Sequence, residues 1–150
     1  MKALQSIKFW VFDLDNTLYS GKTRVFEQVD KKMSEYISKK LKIGVEEAKK
    51  IGIDKLFDGI FDIVDSDFVP KPDIKAYKKL IDKYKIEPQY CILIEDIARN
   101  LKPAYELGMK TVWIKNDEPW AAEFSNENFV NYRTEDLSKF LKEINELRKN

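Results

Sequence analysis

Three short runs in this chain are apolar almost without interruption: "KFWVF" ending at Phe12, "CILI" at residues 91–94 and "TVWI" at residues 111–114. A strand with one wet face alternates apolar and polar side chains, so unbroken runs indicate strands covered on both faces, as in parallel sheets flanked by helices. Between and after these runs the apolar spacing changes to three and four. Ile74, Tyr77, Leu80, Ile81 and Tyr84 mark an amphipathic helix in "KPDIKAYKKLIDKY". Leu137, Phe140, Leu141, Ile144 and Leu147 mark another, with Thr134 placed to cap it. Phe26, Val29, Met33, Ile37 and Leu41 predict a helix between Arg24 and Leu41, and "GVEEAKKIGIDKLFD" predicts one more. "RNLKPAYELGMK" reads as a short helix that Gly108 ends in a left-handed conformation, "GIFDIV" as a strand and "FVNYR" as a small edge strand. Strands alternating with helices give an α/β fold, a Rossmann-like three-layer sandwich around a short parallel sheet. The 150 residues fit a single domain, residues 1–150.

Composition removes several classes of chemistry. The chain has no histidine, which excludes serine–histidine and cysteine–histidine catalysis and histidine-ligated zinc, so acid–base work falls to carboxylates. Its single cysteine, Cys91, lies inside an apolar run and reads as a buried thiol. With 27 lysines and arginines against 26 acids, no overall charge draws the chain to nucleic acid or a membrane surface. The apolar run before Asp13 is too short for a signal sequence or a membrane span, so a cytoplasmic location is expected.

Carboxylates gather where the predicted strands end. In "VFDLDNTLYS" Asp13 and Asp15 follow the first strand, and in "CILIED" Glu95 and Asp96 follow the second apolar run, while Lys71 lies in the loop "VPKPD". Singly, each is ordinary: Asp-x-Asp is a common turn, a lysine between prolines a common solvated loop, Glu-Asp a common helix start. Together they would crowd negative charge at the carboxyl edge of the sheet, where such folds bind ligands. A hard divalent cation, magnesium, would neutralise them, and a phosphate on that cation would take a lysine on its far side. Residues two apart project alike along an extended segment, so Asp13 and Asp15 share a pocket.

"DLDNTLY", "PKPDIKAY" and "IEDIARNLKPAYELGMKTVWI", in that order, resemble the haloacid dehalogenase-like (HAD) hydrolases, and within them the pyrimidine 5'-nucleotidase-like phosphatases. The similarity extends through "FEQVDKKMSEYISKKLKIGVEEAKK" and "IGIDKLFDGIFDI" and reaches about Lys115. It implies a HAD-like core and a magnesium-dependent phosphomonoester hydrolase acting on a small phosphorylated metabolite, with a nucleotide 5'-monophosphate the subfamily's example. By that resemblance Asp13 is the nucleophile that becomes an aspartyl phosphate, and Asp15 protonates the leaving oxygen and then activates water. Asp13, Asp15 through its backbone carbonyl, and Asp96 hold the magnesium. Glu95 stands beside the metal, Asn100 supports its loop, Lys71 steadies the phosphate, and Thr17 braces the first loop.

The chain departs from the family in two places. Relatives carry a long helical insert before "LGIxxxFDGI", then a strand ending in a phosphate-binding threonine or serine; here "GVEEAKK" runs straight into "IGIDKLFDGIFDI", which implies no full cap domain. Ile97 stands where the family usually has a serine after the acidic pair. Loss of a strand would bare an edge of the first strand, open to another chain and hence to oligomerisation. Residues Ile60 to Val64 are therefore expected to pair with residues 8–12, which would bring Ser66 to the phosphate as a substitute hydroxyl; the alternative is that Ser66 merely belongs to the turn leading to Pro70. Two other readings stand beside the enzyme. One is a catalytically degenerate domain that serves as a binding or assembly partner. The other is a receiver-type signalling domain, but that arrangement puts its lysine after the last strand, whereas Lys71 precedes Glu95 and Asp96.

Overall fold

The computed structural model describes residues 2–14, 17–18, 57–115 and 118–149. The chain divides into two units, residues 1–18 with 63–150 and residues 19–62; the described part of the second, residues 57–62, holds no helix or strand. The helices expected over 24–41 and in "GVEEAKKIGIDKLFD" fall outside the described residues, apart from Phe57 and Asp58 at the end of the latter.

The first unit is built on one sheet of four parallel strands: β1 (Phe9–Phe12), β2 (Cys91–Glu95), β3 (Lys110–Ile114) and β4 (Tyr132–Thr134), in that spatial order. The helices are α1 (Ile74–Tyr84), α2 (Leu101–Glu106), the short α3 (Pro119–Ala122) and α4 (Leu137–Lys149). Alternation along the strands sends Ile92, Ile94, Val112 and Ile114 to one face, where they pack with Leu4, Ile7 and the α4 residues Phe140 and Ile144. Cys91, Leu93, Glu95, Thr111 and Trp113 belong to the opposite face. There α2 packs on β2 and β3, and α1 packs on α2. Three layers result, and the α/β reading of the sequence holds.

Local chemistry sets the ends of the helices. Asp73 caps α1 by accepting from the Lys75 N–H at 2.8 Å, and Ala76, Tyr77 and Leu80 form its buried stripe. Gly108 ends α2 at φ 95°, a conformation that costs glycine least. At α4 the cap is Asp136, which accepts from the Lys139 N–H at 3.0 Å, while Thr134 braces the preceding turn by accepting from the Asp136 N–H. The cap therefore lies two residues beyond the expected Thr134, which is instead the last residue of β4.

The expected strand at Ile60–Val64 does not form. Residues 63–68 make a turn in which the Phe68 and Asp67 N–H groups return to the carbonyls of Ile63 and Val64 at 2.7 and 2.9 Å. Asp67 and Phe68 take left-handed angles of φ 52° and 61°, and Lys83 and Lys79 of α1 pair with Asp65 and Asp67. The carbonyls of Ile63 and Val64 are taken by N–H groups of their own turn, and no ladder between this segment and β1 forms among the described residues. Among the described residues β1 pairs with β2 alone.

Candidate active site

The register of the sheet builds the site. Phe12 lies level with Ile94, and the ladder continues one step further through the Asp13 N–H, which donates to the Ile94 carbonyl at 2.9 Å. Asp13 therefore leaves β1 beside Glu95, the last residue of β2, and Asp96 follows at once. Carboxylate oxygens of Asp13, Glu95 and Asp96 all lie within 4.8 Å of one another. Lys71 reaches this edge from the loop before α1: its Nζ donates to Asp13 Oδ1 and to Glu95 Oε2, each at 2.5 Å.

These charges sit in a poorly solvated place. The Glu95 side chain is 1% exposed, whereas that of Lys71 is 39% exposed. Burial pushes Glu95 up to about 7, with Lys71 pulling it down and Asp13 adding to the rise. Burial pulls the Lys71 ammonium down, but Glu95 and Asp13 together outweigh it and hold its pKa above the ordinary lysine value. The ammonium thus bridges two of the three clustered carboxylates. A compact set of carboxylate oxygens of this kind fits a hard divalent cation.

The remaining expected residues separate into groups. Asn100 is buried, and its backbone carbonyl accepts the Tyr77 hydroxyl at 2.5 Å. Thr17 is buried, its hydroxyl without a hydrogen-bond partner among the described residues. Asp15 lies outside the described residues. For Ser66 the turn reading holds and the phosphate role does not: it is buried in the 63–68 turn, its hydroxyl 2.9 Å from the Ile63 carbonyl and 2.8 Å from that of Val69. The expected substitute for a phosphate-binding hydroxyl is thus engaged by its own turn. Glu95, expected beside the metal, belongs to the oxygen cluster itself.

Two participants were not singled out from the sequence. The Trp113 indole N–H, from β3, donates to the Asp96 carbonyl at 2.7 Å, and Tyr77 holds the other end of the same loop at Asn100. Both are aromatic side chains with a polar tip inside apolar patterns, and such tips need a partner when buried.

A parallel α/β domain with Asp13, Lys71 and the Glu95–Asp96 pair at its carboxyl edge has the layout of a class of hydrolase. The pattern of the haloacid dehalogenase-like hydrolases matches residues 37–114, more than half of the chain, and the chain belongs to that family. A glyceraldehyde 3-phosphate phosphatase of Pyrococcus furiosus is 26% identical over 97 residues, 64% of this chain and 40% of that protein. The bifunctional epoxide hydrolase 2 of Sus scrofa is 35% identical over 48 residues, 32% of this chain and 9% of that protein. The chain spans less than half the length of these curated relatives. The crystal structure of an L-2-haloacid dehalogenase superposes with a TM-score of 0.54 at 14% identity, covering 96% of this chain and all of that one, a likeness of fold. No helix among the described residues is long and apolar enough to cross a membrane.

Proposed function

We propose that the chain is a magnesium-dependent phosphomonoesterase that works through an aspartyl phosphate on Asp13. The observation that carries this reading is the Lys71 ammonium bonded to both Asp13 and Glu95 with the Asp96 carboxylate alongside. A phosphate monoester is a dianion, and carboxylates clustered within 4.8 Å would repel it unless a divalent cation shared the site. Asp13, Asp96 and Glu95 are the described residues that would hold magnesium, with Asp15 as the expected fourth. Bound there, magnesium would draw charge from the phosphoryl oxygens.

The chain's own residues supply the rest. Lys71 holds one Asp13 oxygen in place, leaving the carboxylate oriented for in-line attack on phosphorus. As the Asp13 oxygen bonds to phosphorus, the bond to the ester oxygen breaks, and Asp15 gives that oxygen its proton. Asp15 then takes a proton from water, the water oxygen attacks the phosphorus of the aspartyl phosphate, and inorganic phosphate leaves with Asp13 restored. Displacing a halide needs neither a proton donor, since halide leaves unprotonated, nor a cation for an uncharged carbon. The second aspartate and the acidic surplus therefore favour phosphate esters over haloacids. The substrate is a small phosphorylated metabolite, and the subfamily resemblance makes nucleotide 5'-monophosphates the first to try.

The test is hydrolysis of p-nitrophenyl phosphate and a panel of nucleotide monophosphates with magnesium and with EDTA, beside halide release from 2-chloropropionate. Turnover that needs magnesium, disappears in Asp13→Asn and leaves a hydroxylamine-sensitive phosphoprotein is the expected result. Turnover unchanged in Asp13→Asn, or halide release in place of phosphate release, would overturn the proposal. A wild type that binds magnesium and hydrolyses nothing would favour the degenerate binding domain.

A further inference from the structure

The loop that begins at Asp96 is fastened at both ends by donors from elsewhere in the fold. At Asp96 the fastening comes from Trp113 on β3, and at Asn100 it comes from Tyr77 on α1. Both side chains are buried, with Trp113 7% and Tyr77 4% exposed. The two acceptors are backbone carbonyls four residues apart, with a 3-10 turn over Ala98–Asn100 between them. One fastening would tether such an arc and leave it free to pivot; two fix its orientation as well as its place.

The two donors are also tied to the rest of the site. Tyr77 lies in the first turn of the helix that begins three residues after Lys71, so the lysine that bridges Asp13 and Glu95 and the hydroxyl that bonds Asn100 come from one short stretch of chain. Trp113 lies level with Glu95 in the β2–β3 register, so its indole reaches the next residue's carbonyl from the neighbouring strand. Burial, together with the Glu95 and Asp13 charges, pushes the Tyr77 hydroxyl well above the ordinary tyrosine value, and an indole N–H does not titrate in water. Both groups therefore remain donors throughout the working pH range.

We infer that Tyr77 and Trp113 are positioning residues that aim the Asp96 carboxylate at Asp13 and Glu95 and thereby set the affinity of the cation site. The inference rests on the cation reading of the preceding section. Removing either donor deletes one of the two side-chain hydrogen bonds that hold the arc to the rest of the fold, and the arc loosens at that end. Asp96 sits at the start of that arc, so its oxygens lose their fixed distance from the other two carboxylates. Partners of this outer kind typically change metal affinity by roughly 10–100-fold.

The experiment uses the full chain with Tyr77→Phe and Trp113→Phe, each of which keeps an aromatic ring and deletes the donor. Manganese binding is followed by the electron paramagnetic resonance of the free ion, with magnesium as competitor, well below the melting temperature. The expected result is a dissociation constant raised on the order of 10–100-fold in each variant. In turnover of p-nitrophenyl phosphate, the magnesium concentration for half-maximal rate rises, while the rate at saturating magnesium stays within a few-fold. Ile144→Val, a core change on the opposite face, serves as the control and lowers the melting temperature without moving the manganese constant. Variants that melt lower yet bind manganese as the wild type does would show a purely structural role and overturn the inference. If Trp113→Phe does not fold, Tyr77→Phe decides the matter. A wild type that binds neither ion defeats the cation reading and this inference together; wild-type binding that neither variant alters defeats this inference alone.

Discussion

Replacing Lys71 with methionine removes the ammonium that bridges the Asp13 and Glu95 carboxylates while keeping most of the side chain's bulk. Deleting one partner of a fully buried ion pair costs about 3–5 kcal/mol, whereas an exposed pair is worth about 0–1 kcal/mol. This pair is mixed: Glu95 is 1% exposed, but Lys71 is 39% exposed, so water screens one end. The magnitude therefore falls to about 1–3 kcal/mol, a loss in melting temperature on the order of 5 °C for a chain of this size. The loss should be largest in EDTA and partly recovered by magnesium, because a cation among the same oxygens supplies the missing positive charge. Lys75→Met and Lys78→Met, exposed on α1, should each stay within about 0.5 kcal/mol of wild type. Turnover should follow the same order, with Lys71→Met down by roughly 10²–10³ and the other two unchanged. Differential scanning calorimetry in EDTA and in magnesium, with rates on an aryl phosphate, checks all of this. Equal effects at the three lysines, or no loss at Lys71 in EDTA, would refute the reasoning.

Cys91 has no exposed surface, and burial pushes its thiol up to about 12, so Ellman's reagent at pH 8 should leave the native protein unmodified and label one thiol per chain in denaturant. Thr17→Val replaces a buried hydroxyl, without a partner among the described residues, by a methyl of the same shape and should stabilise the protein by about 1 kcal/mol, read as a higher urea midpoint at constant slope. Gly108→Ala should destabilise by about 1 kcal/mol in the same assay. Among the described residues the added Cβ meets only Pro88 Cβ at 4.0 Å, an ordinary contact, so the cost lies in the φ of 95° and not in crowding.

The three apolar runs were legible as strands because an unbroken run has few other uses beside amphipathic helices, and their ends located Asp13, Glu95 and Asp96. Lys71 could be placed because it stands one turn before a strongly periodic helix. "IFDIV" is as apolar as a genuine strand, but the carbonyls of Ile63 and Val64 find partners in the acidic turn that follows, nearer than any ladder. Thr134 and Asp136 are both residues of cap type, two apart, and only the direction in which the chain leaves β4 selects the second. Tyr77 and Trp113 look like core residues in any one-dimensional pattern. Their hydroxyl and indole acquire a role only when α1 and β3 bring them to one loop.

The register that packs the core also sets the chemistry. Ile92 and Ile94 of β2 belong with Val112 and Ile114 against α4, and alternation then sends Leu93 and Glu95 to the other face. A slip of one residue in β2 would turn Ile92 and Ile94 away from Phe140 and Ile144 and bring Leu93 and the Glu95 carboxylate onto that apolar face, with no lysine to meet the charge. It would also take Glu95 out of level with Asp13 and Trp113, separating the bridging lysine from one partner and the indole from the Asp96 carbonyl. Apolar packing thus holds the register, and the register decides that Asp13, Glu95 and Trp113 line up across three strands at the edge where Lys71 arrives. For that reason a mutation in the Ile92–Ile94 face acts on the site through β2 even though it touches none of the charged groups.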